Sequence, residues 1–176
     1  GSTYGSGESL NLPLGSGGDT LAVASPHATS TVLNTLGGGD TVHLQTVAGN
    51  TVVNTGAGSD TTNVKAIGAA TTINAGTEAD TINVGSNAPG VNGNVNAISA
   101  SLTVKGEEGS DTVNVDDTSD TSGNTGNLTG TALTGLGMSA GITYGTVEAL
   151  NISLGSGGDT FTVASTHANN TVLKPL

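Results

Sequence analysis

Asp19, Asp40, Asp60, Asp80, Asp111 and Asp159 are each followed by threonine and preceded by a short polar turn. The turns read Gly-Ser-Gly-Gly at 15–18 and 155–158, Gly-Gly-Gly at 37–39, Gly-Ala-Gly-Ser at 56–59, Gly-Thr-Glu-Ala at 76–79 and Glu-Glu-Gly-Ser at 107–110. The first four aspartates are almost evenly spaced, and the last two follow at longer intervals. A chain that winds once per interval brings the six carboxylates into one column. Unpaired carboxylates about 5 Å apart repel by ~1 kcal/mol in water and ~3 kcal/mol at an effective dielectric near 20. A divalent cation between neighbouring turns reverses that sign. Calcium suits the position, because it accepts carboxylate and carbonyl oxygens in flexible geometry. Glycine permits the left-handed backbone angles that turn carbonyls toward an ion. The metal-free alternative is an aspartate that hydrogen-bonds its own turn.

The elements that must hold such a column are legible in the apolar residues on either side. Two residues after the aspartates stand Leu21, Val42, Thr62, Ile82, Val113 and Phe161, and four after stand Val23, Leu44, Val64, Val84, Val115 and Val163. That alternation predicts short strands with the second and fourth residues inward. Seven residues before each aspartate come Leu12, Leu33, Val53, Ile73, Val104 and Ile152, which mark a second strand entering the turn. Each ~20-residue unit is then two strands and two turns, and it buries its apolar face only by stacking on its neighbours. The expected fold is all-β, a parallel β-solenoid in one domain over 1–176. Outward ladders of Asn63, Asn83 and Asn114, and of Asn34, Asn54 and Asn74, are expected, with the six threonines in a further column. Residues 85–99 read as a surface loop. Residues 116–146 read as an enlarged coil with one extra strand, carrying Asp116, Asp117 and Asp120 in an acidic loop that is expected to be exposed, with a separate ion site as the alternative; Glu107 with Glu108 offers the same two readings.

A longer repeat overlies the coils. Tyr4–Leu36 matches Tyr144–Leu176 without a gap, with 21 of 33 positions identical. Residues 4–143 are one superunit, and 144–176 begin the next. A segment of a longer tandem array is the expected context, with Gly1-Ser2 a cloning remnant. Homologous ends also suggest head-to-tail self-association through the solenoid ends. His27 and His167 share one position of the superunit, which suggests a structural role, and His43 falls in an asparagine ladder.

Composition removes whole classes. Fourteen acids face three lysines and no arginine, a net charge of −11, which excludes an ordinary nucleic-acid binder. No apolar run approaches the ~18 residues of a membrane span, so no membrane insertion is expected. With no cysteine there is neither a disulfide framework nor a thiolate metal site.

The turns resemble the glycine- and aspartate-rich nonapeptides of the repeats-in-toxin family, which form calcium-loaded parallel β-rolls. Gly15-x-Gly17-x-Asp19, Gly56-x-Gly58-x-Asp60 and Gly155-x-Gly157-x-Asp159 match the family's turn. Leu36, Glu78 and Glu107 depart from it, before Asp40, Asp80 and Asp111 respectively. The resemblance implies calcium held by all six aspartates, with Gly15, Gly17, Gly56, Gly58, Gly155 and Gly157 shaping the sites. The chain is also similar to the threonine- and asparagine-rich strand repeats of very large bacterial surface and adhesin-like proteins. These likenesses imply a non-enzymatic, calcium-stabilised spacer or fibre-forming module outside a bacterial cell, whose glycan or cell-surface partner the residues do not name. The alternatives are an ice-binding solenoid using its threonine and asparagine ladders, and a polysaccharide-acting β-helix domain using Asp116, Asp117 and Asp120.

Overall fold

The period-two alternation forms strands because each can bury one face against strands of adjacent coils. The computed structural model describes residues 10–24, 29–167 and 169–175, and among them every regular element is a strand. Ten strands make the regular stack: β1 (Leu10–Pro13), β2 (Thr20–Val23), β3 (Thr31–Asn34), β4 (Thr41–Leu44), β5 (Thr51–Asn54), β6 (Thr61–Val64), β7 (Thr71–Thr77), β8 (Thr81–Val84), β9 (Leu102–Glu108) and β10 (Thr112–Asp116). Odd strands pair in parallel in one sheet, and even strands pair in parallel in the other. The molecule is a parallel β-solenoid.

The register is the one the aspartate ruler demands: Thr20, Thr41, Thr61, Thr81 and Thr112 lie side by side. Inward ladders fill the space between the sheets. Val42, Ile82 and Val113 in one column and Leu44, Val64, Val84 and Val115 in the next are almost fully buried, facing Leu33, Val53, Ile73 and Val104. Thr62 takes its inward place at 2% exposure. At the second edge, Val47, Ile67 and Ile98 form a further buried column, joined by single parallel bridges. The 85–99 segment has no strand, as expected, yet it is more than surface: Ala88, Val95 and Ile98 are buried and pin it to the core.

The insertion differs from expectation. It adds three strands, β11 (Thr125–Leu128), β12 (Ala132–Gly135) and β13 (Ile142–Gly145), joined as antiparallel neighbours. All three lie in the odd-strand sheet, with β13 in parallel on β9. The chain then runs through β14 (Ala149–Ser153), β15 (Thr160–Val163) and β16 (Asn170–Lys174). Because the three inserted strands make a single visit to one sheet, they shift the alternation by half a coil. β14 stacks on β10 in the even-strand sheet, although its counterpart in the first superunit, β1, lies in the odd one. β15 stacks on β11 and β16 on β14, each in the sheet opposite to that of its counterpart, β2 or β3. Thr160 therefore pairs with Thr125 and does not join the threonine column, contrary to the reading from spacing.

Candidate functional site: an acidic ladder along one edge

The turns between odd and even strands hold the aspartate column. Each carboxylate accepts the backbone N–H of the aspartate one coil earlier. Asp19 N–H donates to Asp40 Oδ1 at 2.7 Å, Asp40 N–H to Asp60 Oδ1 at 2.7 Å, Asp60 N–H to Asp80 Oδ1 at 2.8 Å and Asp80 N–H to Asp111 Oδ1 at 2.9 Å. Asp19, at the start, also closes its own turn by accepting from Gly15 N–H at 3.1 Å. Elsewhere the bond reaches across coils, so the aspartate is an inter-coil clasp and the simple self-capping turn is not what forms.

The column ends on a residue the spacing did not indicate. Glu148 Oε2 accepts Asp111 N–H at 2.7 Å. Two signals pointed to it: Leu150 and Ile152 follow at the second and fourth positions, and Glu8 occupies its place in the first superunit. Glu148→Ala is expected to leave the Asp111 amide buried and unpaired, a cost of about 1–3 kcal/mol. Faster hydrogen exchange at Asp111 than in the parent chain, together with a lower urea midpoint, checks it.

Asp159 does not belong to this column. The half-coil shift carries its turn to the opposite edge, where Asp159 Oδ1 accepts Asn124 N–H at 2.9 Å. Its neighbours there are Asp117 and Asp120, from the turn after β10. These were expected to be solvated, but Asp117 is 0% and Asp120 6% exposed. The turn is enclosed because flanking segments bond to it: Val95 N–H donates to Asp117 Oδ1, Ser119 N–H to Gly93 O, and Ser156 N–H to Asp120 O. Burial raises the Asp117 carboxyl to about 6. Asp120 lies below its ordinary value, because Ser122 N–H donates to it at 2.8 Å and Asn124 Nδ2 adds a second bond. Glu107 and Glu108, on the column side, are exposed.

In Asp40, Asp60, Asp80 and Asp111 one carboxylate oxygen is satisfied and the other is not. Among the described residues, Oδ2 of Asp40, Asp60, Asp80 and Asp111 is buried without a hydrogen-bond partner, and so are Oδ2 of Asp117 and Asp159 across the molecule. Loss of hydration disfavours the charged form. It raises the Asp60 and Asp111 carboxyls and pushes Asp80 up to about 7, with Asp111, Asp60 and Glu78 adding repulsion at Asp80.

The turn geometry follows the stacking more than the motif. Before Asp40, Asp60, Asp80 and Asp111, the fourth and second preceding residues have positive φ: Leu36 and Gly38, Gly56 and Gly58, Gly76 and Glu78, Glu107 and Gly109. The three departures from the family's turn therefore adopt the conformation that glycine would. Gly155, by contrast, is buried against Asp120 O, and Gly157 lies against Ser122. A β-carbon at Gly17 would meet nothing within 4 Å among the described residues. Of the three best motif matches, Gly56-x-Gly58-x-Asp60 is the one in which both glycines show the left-handed pair.

Outside the turns the amide ladders form. On the even sheet Asn83 Nδ2 donates to Asn63 Oδ1, Asn114 to Asn83 and Asn151 to Asn114, each at 2.9 Å. His43 takes the first place, 3.3 Å from Asn63 Nδ2. On the odd sheet Asn74 donates to Asn54 and Asn54 to Asn34 at 2.7 Å, with Asn34 reaching Asn11 at 3.1 Å. His167 lies edge-on to the Tyr144 ring, with centroids 5.9 Å apart, which is a packing role; His27 falls outside the described residues.

Calcium takes 6–8 oxygens. The column offers one unpartnered carboxylate oxygen per coil, and among the described residues no three acidic or histidine side chains converge on a point. A cation in the column would draw its remaining oxygens from turn carbonyls and water. Searches against protein-family models, curated proteins and solved structures find no match to this chain.

Proposed function

We propose that this chain is a non-enzymatic structural module, a rigid spacer within a large extracellular bacterial surface or matrix protein. The observation that supports it is the unbroken inter-coil bonding: carboxylate, amide and backbone ladders tie each coil to the next along the regular stack. A rod joined in this way transmits load through parallel strands without relying on a large core. The extracellular setting rests on the resemblance of its turns and its threonine- and asparagine-rich strands to adhesin-like repeats. One molecule's end would stack on another's, since among the described residues β1 and β2 at one end and β15 and β16 at the other each leave a strand edge unpaired.

Calcium enters at the unpartnered Oδ2 atoms, where a cation neutralises charge that burial makes costly. The test is a melting curve at pH 8 with chelator and with millimolar calcium. Stabilisation by calcium that disappears in Asp60→Asn/Asp80→Asn supports the ion-bound column. Identical curves with and without calcium would sink the calcium claim and leave the spacer intact. The spacer itself is tested by single-molecule stretching: cooperative, high-force rupture is expected, and gradual yielding of coils at low force contradicts it.

A further inference from the structure

The outer face of the even sheet carries a groove that the spacer role does not use. It encloses about 270 Å³ beside the 85–94 loop. Its floor is the amide ladder Asn83, Asn114 and Asn151, one wall is Pro89 and Val91, and Asp116 and Lys174 also line it. We infer that this groove is a binding site for a neutral polyhydroxyl ligand, a stretch of uncharged glycan.

The floor supplies the chemistry. A carboxamide has two N–H donors and two acceptor lone pairs. The ladder uses one donor on each floor asparagine, and one acceptor on Asn83 and Asn114. What remains at each step is a donor beside an acceptor, which matches a hydroxyl that both gives and receives. The pairs recur once per coil, at about 4.8 Å, so a chain of sugar rings can engage several at once. Because each amide is held by its neighbours, little rotamer freedom is lost on binding.

The wall is built as firmly as the floor. Asn87 Nδ2 donates to Val91 O at 2.7 Å, Gly90 N–H to Asn87 O at 2.8 Å, and Gly93 N–H to Asp116 Oδ2 at 2.7 Å. Ala88, 3% exposed, anchors the loop while Val91, 70% exposed, projects from it. An exposed valine over a polar floor gives the C–H face of a sugar ring an apolar contact.

Charge and topology select the ligand class. Asp116 and Lys174 balance each other, so the groove favours neither sign although the chain carries −11. Asp116 already accepts Thr118 N–H and Oγ1 as well as Gly93 N–H, so it is bonded on both oxygens. Glycoside hydrolysis uses two opposed carboxyl groups; among the described residues the groove is lined by one, Asp116, and binding is the chemistry it offers. The floor is a sheet face and not an open edge, which disfavours a peptide strand. Without an aromatic platform, single-site affinity is expected in the millimolar range, and repetition of the site would raise it through avidity.

The test is ¹⁵N NMR of the intact chain with four neutral hexasaccharides: β-1,4-glucan, α-1,4-glucan, mannan and galactan. A galacturonic acid hexamer serves as the charged comparison. At least one neutral probe is expected to shift the side-chain amides of Asn83, Asn114 and Asn151. Val91→Asp, at an exposed site, is expected to weaken that binding about tenfold with an unchanged melting temperature. Asn114→Thr tests the floor, and the Val91 variant still decides the matter if Asn114→Thr fails to fold. The inference is overturned if no neutral probe binds at about 10 mM, if shifts fall elsewhere and ignore Val91→Asp, or if the acidic hexamer binds better. Neither result bears on the spacer reading, which is tested by force.

Discussion

Gly58→Ala is expected to cost about 3 kcal/mol, while Gly17→Ala, at the same place in its turn, is expected to be nearly neutral. Gly58 sits at φ +124°, and a β-carbon there would lie 2.2 Å from Gly38 O and 2.7 Å from its carbonyl carbon. Positive φ alone does not prohibit a side chain, since Glu78 occupies the equivalent position one coil later at φ 76°. The alanine must therefore move toward that angle and drag the turn with it, against a neighbouring backbone that cannot rotate away. Strain of about 1–3 kcal/mol for the angle adds to about 1–3 kcal/mol for overpacking. Gly17 has open space around it among the described residues and no positive φ. At roughly 2–4 °C per kcal/mol for a chain of this size, the two variants should melt about 10 °C apart. Equal melting temperatures would contradict the stacking described for the turns.

The second large effect concerns pH. A carboxyl raised in the folded state contributes stability that is fully present below its unfolded value and lost as pH rises through its folded one. Asp80 rises from 3.8 to about 7 and Asp117 to about 6, with Asp60 and Asp111 moved the same way. In chelator, stability should therefore fall between about pH 4 and pH 7, the reverse of ordinary acid denaturation. Asp120, lowered by its hydrogen bonds, opposes this below its unfolded value, so the optimum lies in mild acid. Asp80→Asn keeps an oxygen for Asp60 N–H and removes the buried charge. It should flatten the profile and exceed the parent at pH 8 without calcium. Asp80→Ala should flatten the profile as well but lie below Asp80→Asn at every pH, because Asp60 N–H loses its acceptor. Urea midpoints at several pH values decide it, and a parent chain that gains stability from pH 4 to 8 in chelator would refute the protonated column.

Much of this was legible because a solenoid repeats its constraints. Inward positions such as Val53 and Ile73, and outward ones such as Asn54 and Asn74, recur once per coil, and each recurrence reinforces the last. The same logic reached only part of the acidic site. Spacing counts residues, not crossings between sheets, so the long interval before Asp159 concealed a half-coil shift and placed it in the wrong column. Three strands in one sheet replaced the single extra strand expected, because Gly126, Gly135, Gly137 and Gly141 interrupt the alternation that would have revealed them. Glu148 lacked the glycine turn used as the marker. Asn11 and Asn151, the ladder members that went unread, are themselves a pair, at one position of successive superunits. Enclosure of Asp117 and Asp120 depends on segments far away in sequence, and no local pattern records it.

The half-coil shift reaches beyond the residues that produce it. Any chain that repeated this superunit would place consecutive copies in opposite orientation about the rod, as on a twofold screw axis. The true structural period would be a pair of superunits, twice the period of the sequence. Each acidic edge would be answered by one on the far side in the following copy, and each amide-floored groove likewise. Such a rod has no front or back: it shows the same chemistry to both sides in turn, and its charge is spread evenly about its axis.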